Sequence, residues 1–325
     1  MKTTSVESRD PRSDYLLSVI TVTFNSRNEI EDFVHSFEQQ PLAVQLWLVD
    51  NASTDGSADQ LERLASQHSW IKVLRNTANV GLAAGNNQPI AQLASTYTAI
   101  INPDVVLHPG ALSVLVDYLE KNADVVAVAP VNVTPDGVPH SSFHKAWTLA
   151  HLLVWRILPG ALTQRLYKAF RVYEEQDVLF ASGACIVMRT ADFQRVGGYD
   201  PEYFLTVEDV CDLCIRLRQG DQRKRVVVTP TARITHLRSR SASEVPFITL
   251  WNGARGSIYH FHKHGGWVAG LTAYAIVFGS SLLRVLVALP RAAFSARGKA
   301  SLRNNWQVLR QLLIDNPLFI KIRAR

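Results

Sequence analysis

Cysteine is scarce: three residues in a chain of 325. That small, odd number and the polar start "MKTTSVESRDPRSD", which carries no apolar leader, predict a reducing, cytosolic setting. Cys211 and Cys214 form a C-x-x-C, but inside the charged helical run "EDVCDLCIRLR" rather than at a strand-to-helix turn. They read as two packed thiols, not a redox pair. No internal repeat or low-complexity tract is present, and no G-x-G-x-x-G follows the first predicted strand, which disfavours a dinucleotide site. Acidic residues nearly vanish from the last third: residues 221–325 hold 17 Lys/Arg against 3 Asp/Glu, whereas residues 1–220 hold 17 against 25. The net charge of +6 therefore divides into −8 and +14. A basic module beside apolar sequence can face anionic lipid, diphosphates or nucleic acid. Nucleic acid is not the expected partner, because no reading motif is present and the basic region is apolar rather than groove-tracking.

What is there is globular, with 47% hydrophobic and 19% charged residues. After a disordered tail over residues 1–14, short apolar β-rich runs alternate with helical ones. "LLSVITVTF", "VQLWLVD", "IKVLR", "YTAII" and "DVVAVAP" read as strands. Helices are expected over residues 28–39, in the capped stretch "STDGSADQLERLA", near 83–95, and from Pro109 to Glu120. "VLFASGACIVMRT" reads as a further strand. The alternation predicts an α/β fold with a mainly parallel, helix-covered sheet. Three segments are expected: the tail, a domain over residues 15–240, and a basic, apolar helical extension over residues 241–325.

Ligands of such sheets lie beyond the carboxyl ends of the strands. Thr23 and Asn25 follow the first strand, Asp50 and Asn51 the second, and Asn102 and Asp104 the fourth. Each alone could be a turn or a cap, and capping is the expected role of Ser53 to Asp55. Together they suggest a nucleotide crevice. The turn "INPDV" matters most: an apolar strand stops at Asn102-Pro103-Asp104, a rigid turn ending in one carboxylate.

Two segments suggest a surface. "KAWTLAHLLVWRILPGALTQRLYKAFRVY" mixes Trp and Leu with five Lys/Arg, as an amphipathic helix at a lipid or partner surface would; a folded-over core helix has the same composition. "WVAGLTAYAIVFGSSLLRVLVALP", residues 267–290, is the most apolar stretch, interrupted by Arg284. Its uncharged part, Trp267 to Leu283, stands at the short edge of the ~17–25 residues that span a bilayer, which favours an interfacial or partly inserted helix. Lys263, Arg291, Arg297 and Lys299 would favour the cytoplasmic face.

Over residues 16–240 the ordered motifs "VITVTFN", "LVDNASTDGS", "NVGLAAGNN", "INPDV", "ASGACIVMR", "VGGYDPEYF", "VEDV" and "ARITH" resemble the inverting family 2 glycosyltransferases. That resemblance implies the GT-A nucleotide-diphospho-sugar transferase fold and a divalent metal, Mg or Mn. By it, Asp104 is the metal-binding end of a D-x-D-type motif in which Asn102 replaces the first Asp, and His236 serves the metal or the diphosphate. Asp209 maps onto the acid that takes the acceptor's proton, with Glu208 as its orienting neighbour or an acceptor contact. Asp50 corresponds to the acid that recognises the base, and Thr23 lies where base and ribose pack. Asn79, Gly81 and Asn87 line the nucleotide site, and Gly183 leaves room for the sugar. Two departures stand out. Relatives carry the next acid two residues after Asp209, where this chain has Cys211 and then Asp212. Arg238 and Arg240 follow His236 where small residues are usual; they could pair with diphosphate or be solvated.

Among such families the general look is that of bacterial rhamnosyltransferases, which implies dTDP-L-rhamnose as donor. A lipid-linked or polysaccharide acceptor at the inner-membrane surface, and a peripheral cytoplasmic enzyme of cell-wall polysaccharide synthesis, follow from the same likeness. A UDP-sugar-dependent transferase of the same fold and a non-catalytic sugar-nucleotide-binding assembly subunit are the alternatives; the joint presence of Asp104 and Asp209 argues against the second.

Overall fold

All seven residues of β1 (Leu17–Thr23) are buried. Their side chains alternate between two cores: Leu17 and Val19 join one apolar cluster, Ile20 and Val22 the other. A strand covered on both faces accounts for the unbroken apolar run. The computed structural model describes residues 15–139, 143–158, 162, 174–204, 206–221, 223–237 and 246–315. The expected tail over 1–14, most of the second half of the amphipathic stretch, and Arg238 and Arg240 lie outside the described residues.

β1 pairs in parallel with β2 (Val44–Asp50) and β4 (Tyr97–Ile101), and β2 with β3 (Ile71–Arg75). The connecting helices are α1 (Ile30–His35), α2 (Ser57–Gln67) and α3 (Leu82–Asn87). Where one helix was expected over 28–39, α1 continues as a 3-10 turn, Ser36–Gln39. Where one was expected near 83–95, α3 stops before Pro89 and a 3-10 turn, Ile90–Gln92, follows. Proline lacks the N–H that an uninterrupted helix needs at that point.

β5 (Val105–Leu107), α4 (Ala111–Lys121) and β6 (Val125–Val133) come next. Then follow β7 (Phe143–His144), α5 (Leu149–Ile157), β8 (Gln176–Val178), β9 (Phe180–Ala181), β10 (Cys185–Arg189), α6 (Thr190–Arg195), α7 (Glu208–Leu217) and β11 (Arg225–His236). The main sheet runs β3-β2-β1-β4-β10-β6-β11-β5, with β8 on β11; β7 and β9 form a separate pair. It is parallel where crossover helices link the strands and mixed beyond, because β10 runs antiparallel between β4 and β6 while β11 lies parallel to β6. The single strand expected in "VLFASGACIVMRT" is three pieces, broken at Ser182-Gly183 where Ser182 Oγ accepts the Ala184 N–H at 3.2 Å.

Beyond β11, α8 (Pro246–Phe294) is bent at Gly266, whose φ of 74° and ψ of −169° no helix contains. Its first half buries Ala254, Ile258 and Phe261 in the same cluster as Ile20 and Val22, so the C-terminal helices share a core with the sheet. Its second half packs on α9 (Ala296–Ile314): Ala273, Val277, Val308 and Leu312 are buried, and Tyr274 Oη donates to the Leu312 carbonyl at 3.0 Å. Among the described residues this is the one helix long and apolar enough to cross a membrane. Trp267, Val268, Leu271, Leu286, Leu289 and Phe294 on it remain exposed.

Candidate active site

Strand register gathers most of the sequence candidates on one rim. Thr23 lies directly beside Asp50 at the ends of β1 and β2. β4 is parallel to β1, so Asn102 and Asp104 follow it at the same edge. β10 is antiparallel, with Cys185 opposite Ile101, so Gly183, two residues before it, comes to that edge from the other direction. An added Cβ on Gly183 would meet nothing within 4 Å. β11 ends there too: His236 pairs with Val105, and its Nε2 stands 3.3 Å from Asp104 Oδ2. The Leu237 N–H donates to the Asp104 carbonyl at 2.9 Å, which pins the turn from its far side. The INPDV turn thus ends its strand where the Asp104 carboxylate meets an imidazole from β11.

The donor-side candidates form one hydrogen-bonded group. Asp50 is buried; its Oδ2 accepts from the Ser53 N–H at 3.2 Å, while its buried Oδ1 has no partner among the described residues. A buried carboxylate oxygen left open is costly unless a ligand supplies the donor. Thr23 is likewise buried, its Oγ1 donating to the Val49 carbonyl at 3.3 Å. Asp55 accepts from the N–H and the hydroxyl of Ser57 at the start of α2, but the N-cap position itself is Gly56, with no side-chain cap, and Ser53 and Thr54 bond to Asn25 instead. Asn51, a rim residue that the sequence left without a role, organises the loop. Its Nδ2 donates to Asn79 Oδ1 at 2.8 Å, and its Oδ1 accepts from the Val80 N–H at 3.0 Å. Asn79 Oδ1 also accepts the Gly81 N–H at 2.9 Å.

Gly81 has φ of +86°, and an added Cβ would sit 2.7 Å from the Phe204 ring and 2.8 Å from the Phe204 carbonyl oxygen. The close approach that requires a glycine here is therefore Phe204. The Leu82 N–H donates to that same carbonyl at 2.7 Å. Asn87 is committed elsewhere: its amide donates to the Tyr199 carbonyl at 2.7 Å and accepts the Tyr199 N–H at 2.8 Å. Its side chain ties α3 to the segment after the Gly197-Gly198 turn, a scaffold role beside the lining role that the resemblance implies. Sequence spacing alone cannot separate those roles.

The Tyr199–Phe204 segment leads into α7, whose first turn carries Glu208 and Asp209. Thr206 Oγ1 accepts the Glu208 N–H at 2.9 Å and donates to Glu208 Oε2 at 2.6 Å, a local cap. Ser257 Oγ, from α8, donates to Glu208 Oε1 at 2.6 Å. Both Glu208 oxygens are thus held. Asp209 is buried beside it; Oδ1 accepts the Val210 N–H, and Oδ2 has no partner among the described residues. Burial, reinforced by Glu208 and Asp212, pushes the Asp209 carboxyl up to about 7, against the single opposing N–H from Val210. Asp212, one turn on, has the opposite surroundings. Arg216 at 2.6 Å, Lys263 at 2.6 Å and His264 at 2.8 Å hold its carboxyl well below the usual range despite its burial. It fastens α7 to α8, and Cys211 in the family's acidic position packs with its sulfur 3.9 Å from His260 Nε2.

Two connections join the halves of the site. Phe204 touches the Gly81 loop on one side and precedes α7 on the other. The Ala181 backbone meets Cys214 of α7, and three residues later the Ala184 carbonyl accepts the Asn102 N–H at 3.0 Å. Among the described residues no group of three or more His, Cys, Asp or Glu side chains forms a complete metal cage. One carboxylate and one imidazole do converge, and that pair fits a cation whose remaining oxygen ligands come from a substrate diphosphate.

The glycosyl transferase family 2 model matches residues 18–197, more than half of the chain. The N-acetylglucosaminyl-diphospho-decaprenol L-rhamnosyltransferase of Mycobacterium tuberculosis is 28% identical over 272 residues, covering 78% of this chain and 86% of that protein. In fold, the chain is similar to a mannosyltransferase of Pyrobaculum calidifontis in complex with GDP-Man and Mn2+. The TM-score is 0.56 at 16% identity, over 95% of this chain and 88% of the other. It is also similar to GalNAc-T7 with UDP, GalNAc and Mn2+, with a TM-score of 0.55 at 17% identity over 69% of this chain, which spans 43% of that one.

Proposed function

The chain belongs to glycosyltransferase family 2, and from that premise we propose that it moves a sugar, rhamnose in the first instance, from a nucleotide-diphospho-sugar to a lipid-linked acceptor with inversion. The observation that carries this reading is Asp209, a buried carboxyl pushed up to about 7 at the start of α7, beside a Glu208 with both oxygens tethered. A base titrating near the working pH combines a populated carboxylate with a useful driving force for proton removal.

In the proposed reaction the acceptor oxygen attacks the anomeric carbon from the face opposite the leaving group. The bond from that carbon to the phosphate oxygen breaks, and the nucleoside diphosphate departs with the electron pair. Asp209 takes the acceptor's proton through its unpartnered Oδ2. Asp104 and His236 would hold a divalent cation, which neutralises charge on the departing diphosphate when bound. The open Oδ1 of Asp50 would accept from the base, beside Thr23 and the Asn51–Asn79–Gly81 loop. Asn102 and Gly183 would border the diphosphate and the sugar.

The mycobacterial relative's name supports rhamnose as donor sugar and a prenyl-diphosphate-linked acceptor. dTDP-L-rhamnose is the first donor to try, and a UDP-sugar fits the same base and metal logic. The exposed apolar residues of α8, the basic C-terminal third and one half-exposed tryptophan helix, α5, support peripheral attachment at the cytoplasmic face of the membrane.

The test is a panel of nucleotide sugars with magnesium or manganese, scored by calorimetry and by nucleoside diphosphate release in the presence of a polyprenyl-linked acceptor. Acceptor-dependent release from dTDP-L-rhamnose is expected. No release from any donor with any acceptor would end the proposal.

A further inference from the structure

Two arginines face each other where α5 meets α8. Arg284 Nη2 donates to the Arg156 carbonyl at 3.0 Å, and Arg156 Nη2 donates to the Gly253 carbonyl at 2.8 Å. Neither is in an ion pair with a carboxylate among the described residues. Glu208 is the acid close enough to be felt at Arg156, but its oxygens are taken by Thr206 and Ser257. Burial and the adjacent Arg284 lower Arg156 to about 10. Holding two half-buried like charges together, with no carboxylate paired to either among the described residues, is unfavourable, and an anion placed between them would relieve it.

The pair also lies at the junction of two cavities. One, of 280 Å³, runs from Arg156 and Arg284 past Trp147 and Trp155 to Glu208, next to the proposed base. The other, of 370 Å³, leaves the same two arginines between Leu283, Val287 and Ala288 of α8 and the polar Ser301 and Asn305 of α9, with Arg291 beside them. Around its mouth Ile157, Leu283, Leu286 and Val287 are exposed. From the arginines one direction leads past two tryptophans to an acid, and the other along a strip of exposed aliphatic side chains on α8. That is the order of groups along a glycosylated prenyl diphosphate: sugar, diphosphate, hydrocarbon.

We infer that Arg156 and Arg284 bind the diphosphate of the lipid-linked acceptor, with its prenyl chain along the strip of Leu283 and Val287 and its sugar directed towards Glu208. The inference rests on the transferase reading for the identity of the acceptor, but its site is separate from the strand rim that would hold the donor. Guanidinium groups suit this task, since each can present two parallel N–H donors to phosphate oxygens.

The probe is geranyl diphosphate, which carries no sugar, added to the full chain and followed by tryptophan fluorescence and calorimetry. Inorganic pyrophosphate, geraniol and phosphatidylglycerol vesicles are run beside it. Binding of geranyl diphosphate should weaken by about tenfold or more in Arg284→Gln and in Arg156→Gln, and by less in Arg284→Lys, in line with loss of a charge-assisted contact. Pyrophosphate and geraniol should each bind more weakly than the joined molecule. The inference is overturned if geranyl diphosphate fails to bind, if the Gln variants bind it as the wild type does, or if pyrophosphate alone binds as well. It is also overturned if vesicle binding alone responds to the substitutions, which would assign the arginines to membrane headgroups. Thermal unfolding and calorimetry with the nucleotide sugar serve as controls, and both should be unchanged in variants that fold. Sugar transfer without arginine-dependent probe binding sinks this inference and leaves the transferase reading; arginine-dependent binding without turnover of any donor does the reverse.

Discussion

Ser257 donates its hydroxyl to Glu208 across 2.6 Å, so a helix beyond the expected domain boundary anchors the residue next to the proposed base. Replacing Ser257 by Ala leaves one buried carboxylate oxygen without its donor. Loss of a hydrogen bond to a charged group costs about 1.5–3 kcal/mol. Ser257→Ala is expected to lower kcat roughly tenfold, by the conversion of about 1.4 kcal/mol per decade, while donor affinity stays constant. Steady-state kinetics and donor calorimetry on the same preparation check the split; a change in donor affinity alone would contradict it.

Asp209→Asn should abolish transfer and leave donor binding intact. Removal of a general base typically costs about 10²–10⁴-fold. The wild-type rate should climb with pH through about 7 as the carboxylate forms, and the slope should vanish in the variant's residual activity. A flat wild-type profile from pH 5.5 to 8.5, with chemistry rate-limiting, would remove Asp209 from this role.

The same carboxyl has a cost in stability. Its folded pKa is raised, so the native state holds a proton that the unfolded state has released between about 4 and 7. Stability from this group is full below the unfolded value and lost as pH rises through the folded one, to a ceiling of about 4 kcal/mol. Asp209→Asn should therefore unfold at a higher temperature than wild type at pH 8, with the gap closing at pH 4.5. Equal melting temperatures at both pH values would show that burial of Asp209 is relieved by solvent.

Asp212 behaves in the opposite sense. Its lowered folded pKa contributes stability above the unfolded value, lost as pH falls through the folded one. Asp212→Asn should leave Arg216, Lys263 and His264 without their shared acceptor and destabilise the neutral-pH protein by about 3 kcal/mol or more. Denaturant midpoints at pH 7 measure it, and a midpoint unchanged from wild type would deny the cluster its fastening role.

Metal removal separates Asp104 and His236 from the base. Chelation should abolish transfer, and magnesium or manganese should restore it. Asp104→Ala and His236→Ala should each weaken metal-dependent donor binding, and the double variant should lose little beyond the stronger single one, since the two side chains stand 3.3 Å apart. Additive losses would place them on separate ligands.

The extent to which the sequence was legible follows from what carries information locally. The apolar runs that became β1, β2 and β4 and the acids and amides at their ends could be read directly, because a buried parallel strand needs a continuous apolar run and its ligand edge interrupts that run with polar residues. Pairing between distant segments could not be read. Asn87 fits the nucleotide motif by spacing, yet its amide is spent on Tyr199; Gly81 is required by Phe204; and Asp212, after the displaced Cys211, is paired with Lys263 and His264 of α8.

By itself the chain's order of residues determined the first strands and their polar edge, and that nearly all the acids belong to the first two thirds while the net positive charge belongs to the last. Only folding decided that Asp209 is dry and Asp212 is neutralised, that His236 reaches Asp104, and that Arg156 and Arg284 share one wall. Periodicity and turn chemistry act over a few neighbouring residues and are therefore written in the sequence; desolvation and charge pairing depend on which remote surfaces meet, and those exist only once the helices have closed over the sheet.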